Sequence, residues 1–172
     1  MVDPHRFDGA RILESSFPDD TGAADPALSA ALAAFAAGSG GFAEVVQALA
    51  PTRVLVPVVA VLGEVEVDDQ GLAHDKSSDM AAVLLTGADG RLALLAFTSS
   101  DSLTRWSAEA RPVPVPARVA AQSAVQEGAA ALVIDVAGPS QFVLEGEDLA
   151  AFAAGWTLTR VGDDLGWLRP AE

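Results

Sequence analysis

Lys76 is the only lysine in the chain. It stands in the run Lys76-Ser77-Ser78-Asp79, which offers a cation, two hydroxyls and a carboxylate within one turn of chain. A second hydroxyl run, Thr98-Ser99-Ser100, follows an apolar stretch further on. A lysine, hydroxyls and the free amides of a helix start are the parts of a small anion site. Asp79 and Asp101 oppose that chemistry, because both would repel an anion. A Ser78 nucleophile with Lys76 as its base would need the base within hydrogen-bond reach and a preformed oxyanion site. The local spacing supplies neither, and the glycine-flanked nucleophile elbow is missing. The two histidines, His5 and His74, stand at no metal-ligand spacing from Asp68, Asp69 or Asp75, so a solvated acidic loop is the reading there. No cysteine is present, which removes thiolate catalysis, thiolate zinc sites and disulfides together. No phosphate-binding loop or dinucleotide fingerprint occurs, and no cofactor is implied.

The elements that would position these groups follow from periodicity and turn chemistry. Met80–Leu85 and Arg91–Phe97 are apolar runs on either side of Gly87-Ala88-Asp89-Gly90, whose Asp-Gly marks a tight hairpin. An antiparallel hairpin sets the start of its first strand beside the end of its second. Lys76, Ser77, Ser78 and Asp79 are thereby expected next to Thr98 and Ser99 at one end of the sheet. If Pro112–Pro116 lies parallel after a crossover, the helix from Ala117 begins at the same end and brings Arg118. The bland counterpart is that Ser99 or Ser100 only caps its helix and Lys76 only pairs with Asp75 or Asp79.

Asp25-Pro26 opens a first helix by capping, and Gly38-Ser39-Gly40-Gly41 closes it near Ala37. Phe42–Leu49 reads as a short helix. Arg53–Val61 reads as a valine-rich strand that is bulged or at an edge at Pro57. Further helices are expected over Ser99–Ser107, Ala117–Glu127 and Glu147–Ala154. Further strands are expected over Ala131–Val136 and Gln141–Leu144, with a small one near Thr157–Val161. Pro112–Pro116 lacks an amide at three of its five positions and reads as an edge or connector. Residues 1–25 read as a flexible N-terminal arm and 26–172 as a single domain. The fold class is α+β, a mixed sheet of about five to six strands with helices packed on it.

The length, 172 residues, suits one domain, and the apolar share of 51% is enough for a core although much of it is alanine. The net charge of −14 argues against nucleic acid as a partner. Its excess lies in the first half, where residues 1–90 hold 14 acids and 4 bases. The alanine-rich stretch is too short to span a bilayer, and the first residues lack a signal-peptide pattern. The chain therefore reads as cytoplasmic, with no membrane partner.

The stretch His74–Ala124 resembles the SseB-type domain, the SseB protein N-terminal domain. The resemblance rests on Asp75-Lys76-Ser77-Ser78-Asp79-Met80, the Asp89-Gly90-Arg91 turn, Phe97-Thr98-Ser99, Trp106 and Arg111-Pro112-Val113-Pro114-Val115. It extends more loosely from Phe42 to Gly155. It implies a small α/β domain found in many bacterial proteins, mostly without an established activity. The expectation is a non-enzymatic module that binds a protein partner or a small ligand, compatible with a homo-oligomer. Two alternatives stand beside it: an enzyme or anion-binding protein acting at the Lys76/Ser78/Thr98 end, and an acidic chaperone-like or scaffold protein.

Overall fold

In the computed structural model, which describes residues 17–62 and 78–171, the first helix forms where its capping residues require it. Asp25 accepts from the amides of Ala27 and Leu28 at 2.9 and 3.0 Å, and Pro26 takes the first position of α1 (Pro26–Ala36). Gly38, at φ 72°, turns the chain out of the helix. The helix α2 (Phe42–Leu49) follows and buries Val45, Val46 and Leu49. Downstream come α3 (Ser100–Trp106), α4 (Ala117–Gln126) and α5 (Gly146–Ala153). The strands are β1 (Arg53–Leu62), β2 (Ser78–Ala82), β3 (Leu84–Thr86), β4 (Leu92–Ala96), β5 (Arg111–Pro116), β6 (Ala131–Ile134), β7 (Phe142–Glu145), β8 (Thr157–Val161) and β9 (Asp164–Leu168).

Two ladders, β2-β1-β5 and β3-β4-β6-β7, meet where Leu55 and Phe97 exchange backbone hydrogen bonds of 2.8 Å in each direction. One mixed layer, β5-β1-β4-β6-β7, therefore runs through the molecule, with β4 and β6 its parallel pair. The single-domain α+β architecture agrees with expectation; β8 and β9 form a separate hairpin.

The expected hairpin is only partly formed. Leu84–Thr86 pairs with Leu92–Leu94, but Ser78–Ala82 leaves that partner and pairs with Val58–Leu62 of β1. The break is at Val83, whose amide donates to the Pro57 carbonyl (3.0 Å) and whose carbonyl accepts from Leu95 (3.5 Å). From their meeting point at Leu55 and Phe97, β1 and β4 diverge like the arms of a V. β2 and β3 form a smaller V nested inside it. Pro57 sits at the vertex and has no amide to offer there, so the ladder can change partner without orphaning a donor.

The expected N-terminal arm is described only over its last residues. Over residues 17–25 it is part of the fold: Asp20 pairs with Arg53, and the Gly22 carbonyl accepts from the Ser100 amide at 2.8 Å. Residues 1–16 lie outside the described residues.

Alternation along the strands splits the core. Leu94, Leu132, Ile134, Phe142 and Leu144 face the helices α1, α2, α4 and α5. Leu55, Leu95, Phe97 and Val133 face the other way, where Leu103 and Trp106 of α3 pack on them. The helix layer covers the first face. On the second, α3 leaves the β3, β6 and β7 side of the sheet uncovered among the described residues.

Candidate functional site

Because β4 and β6 are parallel, their carboxyl ends lie side by side, and the residues that follow them meet. Thr98 follows β4 and Asp135 follows β6. The Thr98 amide donates to Asp135 Oδ1 at 2.9 Å, and the Thr98 hydroxyl donates to Oδ2 at 2.7 Å. Asp135 is 7% exposed and holds φ 52°, a left-handed conformation that Asp accepts more readily than most residues. Ser99 caps α3 through a reciprocal pair: its hydroxyl accepts from the Ser102 amide (3.1 Å), and its own amide donates to Ser102 Oγ (3.2 Å).

Arg53, the first residue of β1, arrives at the same end. Its guanidinium forks onto both oxygens of Asp20 at 2.7 and 2.8 Å and donates to the carbonyls of Thr98 and Ala23. The Arg53 hydrogen bond holds the Asp20 carboxyl below its ordinary range. Beside these groups is a polar cavity of about 280 Å³, lined by Ser29, Thr98, Ser99, Arg105, Asp135 and Ser140 among others.

Of the residues singled out in the sequence, Thr98 and Ser99 are here. Ser78 and Asp79 are not brought to them: Ser78 lies opposite Leu62 and Asp79 opposite Val61, whereas Phe97 lies opposite Leu55. Seven positions of β1 separate the two levels, roughly 23 Å of extended strand. The antiparallel hairpin that was to join them ends at Val83. Lys76 and Ser77 lie outside the described residues. Arg118 begins α4 at the same end of the layer, but its guanidinium is directed at α5. It donates to the carbonyls of Phe152 (3.1 Å) and Trp156 (3.2 Å) and lies 5.1 Å over the Phe152 ring. There it adds a donor to carbonyls at and just past the C-terminal end of α5.

A second cavity, not anticipated from the sequence, lies on the open face of the sheet. It is a groove of about 480 Å³ lined by Leu85, Ala93, Leu95, Val133, Val136 and Val143, with Leu85 and Val143 each 37% exposed. Arg91 closes its rim, bonding Asp89 across the β3–β4 turn and Glu145 at 3.2 Å. Those bonds hold Asp89 below its ordinary range and raise Arg91 further. The signal was present as small or branched apolar residues at 93, 131, 133 and 143, one register of three neighbouring strands. It was hidden because the same strands are apolar on their other register too.

Among the described residues no group of three or more His, Cys, Asp or Glu is placed to hold a metal ion, and no helix is long and apolar enough to cross a membrane. Residues 28–151 match the family model of the SseB protein N-terminal domain. No curated protein and no solved structure matches the chain.

Proposed function

This chain belongs to the SseB protein N-terminal domain family, and from that premise we propose that it is a non-enzymatic interaction module whose open sheet face holds an apolar segment of a partner protein. The groove carries this reading. It is apolar, it runs into the second core cluster, and no helix among the described residues covers it. Contiguous apolar surface left in water is the ordinary mark of an interaction site. The polar groups at the carboxyl ends of β4 and β6 are by contrast bonded to one another, as a structural joint requires. The absence of cysteine suits a cytosolic setting, where the partner would be met.

The test uses the chain's lack of cysteine. Ala93→Cys places a single photo-crosslinker in the groove; Ser123→Cys places one on the exposed side of α4. From the native cytoplasm the first should capture one stoichiometric partner that the second does not, and adding Val143→Asp should abolish that capture. Equal capture from both positions, or capture indifferent to Val143→Asp, would remove the reading.

The cavity of about 280 Å³ supports a second reading, a small polar ligand held beside Thr98 and Asp135. Carboxyl ends of parallel strands are where ligands settle in α/β sheets. A small molecule retained in native mass spectrometry, lost with Thr98→Val and kept with Val143→Asp, would favour it.

A further inference from the structure

The layer ends in two outer strands, β5 and β7, and their edges are chemically unlike. In β5 the Ala117 amide, just past the strand, donates to Thr52 at 2.9 Å. Val115, Val113 and Arg111 share that parity and face β1. The alternate positions, whose amides would point outward, are Pro112, Pro114 and Pro116. The outer edge of β5 thus offers carbonyls and no donors, and another strand cannot complete a ladder on it.

β7 has no proline. The Gly146 amide reaches inward to Ala130, so Leu144 and Phe142, of the same parity, also face β6. The amides of Val143 and Glu145 point outward and have no partner among the described residues. This edge borders the groove, since Gln141, Val143 and Glu145 line it. Its rim is acidic: among the described residues that line it, Asp89 and Glu145 stand against Arg91 alone, and the whole chain carries −14.

We propose that the partner segment binds as an added strand along β7, extended, with apolar residues at alternate positions over Val143 and basic residues at its flanks. The proposal rests on the groove reading above and specifies the partner's chemistry. Backbone bonds to Val143 and Glu145 would fix its register, alternate side chains would cover the groove, and the rim would select its flanking charge.

The probe is a synthetic peptide, Lys-Thr-Val-Ser-Val-Thr-Val-Ser-Lys, added to the full chain. At saturation, hydrogen exchange at the Val143 and Glu145 amides should slow at least tenfold. Val143→Pro, which removes an outward donor while keeping an apolar side chain at the groove, should abolish binding. The same peptide with glutamate for both lysines should bind at least tenfold more weakly at low salt. The peptide N-methylated at alternate residues should not bind in one of its two methylation registers, a result independent of how any variant folds. No slowing at Val143 and Glu145, or full binding of both N-methylated forms, overturns strand addition. If Val143→Pro binds normally while Ala93→Glu does not, the groove reading survives and strand addition falls. If neither variant alters binding, both fall. A concentration-dependent dimer that Val143→Pro abolishes would make a second copy the occupant and overturn the external partner.

Discussion

Arg53 joins three segments through one guanidinium: the N-terminal stretch at Asp20 and Ala23, the start of β1, and the turn after β4 at Thr98. The Arg53 and Asp20 side chains are 11% and 14% exposed, so water competes only weakly for the pair. Asp20→Asn should cost about 1–2 kcal/mol at neutral pH. The sign with pH follows from the depressed carboxyl. Its contribution is complete above the ordinary value of 3.8 and is lost as pH falls through the lower folded value. Urea midpoints of wild type and Asp20→Asn should therefore differ at pH 7 and draw together as the pH falls below the ordinary carboxyl value and through the lowered folded one; a constant gap would show that charge is not what the pair contributes. The Thr98–Asp135 joint makes a different demand. Asp135→Ala removes both acceptors and leaves a side chain ill suited to φ 52°, with an expected cost of about 2–4 kcal/mol. Asp135→Asn keeps an acceptor for the Thr98 amide and tolerates the backbone, so it should cost clearly less in the same denaturant titration.

At the scale of elements, β4 is the strand on which both cores depend. Leu94 is fully buried toward the helices, whereas Leu85, paired with the neighbouring Ala93, lies in the open groove. Leu94→Ala should cost about 2–5 kcal/mol and Leu85→Ala less than about 1 kcal/mol. Similar losses in chemical denaturation would mean that the two faces are not so unequal. Much of this was legible beforehand. Asp25-Pro26 and Gly38 marked helix ends by local chemistry, and the apolar runs on either side of Gly87-Ala88-Asp89-Gly90 marked strands. The unread part is long-range. Val83 is an ordinary strand residue, and only the Pro57 carbonyl and Leu95 amide, at opposite arms of the V, make it the place where β2 and β3 part. Residues 17–25 look like a polar arm until Arg53 is seen on Asp20. Thr98 looked like a free hydroxyl because its partner, Asp135, is 37 residues away. The grouping of Ser78 with Thr98 failed for the same reason, since it assumed that a strand keeps one partner along its length.

For the whole molecule, the edges decide whether an acidic, alanine-rich sheet protein stays dispersed. The outer strand β5 is largely exposed, and Val113 shows 37% of its surface. With donors restored it would read as alternating β-branched residues on an unpaired edge, the pattern that templates further strands. The net charge of −14 gives long-range repulsion, but that falls off within about 8 Å at physiological salt. It cannot protect an edge at contact distance, whereas a missing amide can. Replacing Pro112, Pro114 and Pro116 together with Thr should leave the inward ladder of Arg111, Val113 and Val115 on β1 intact and return three outward donors. The expected outcome is concentration-dependent association in light scattering, stronger at 0.5 M salt than at 0.02 M, while wild type stays dispersed in both. The substitutions also loosen the unfolded chain, at about 0.4–1 kcal/mol per proline, so unfolding must be separated from edge pairing. Pro112→Thr and Pro114→Thr alone each bear only that smaller penalty and return one donor. If the triple variant associates with its near-UV dichroism unchanged, and each single variant associates less, the prolines act as edge guards. If association appears only once the dichroism is lost, they act on stability, and the chemical contrast between β5 and β7 has no bearing on where a strand can add.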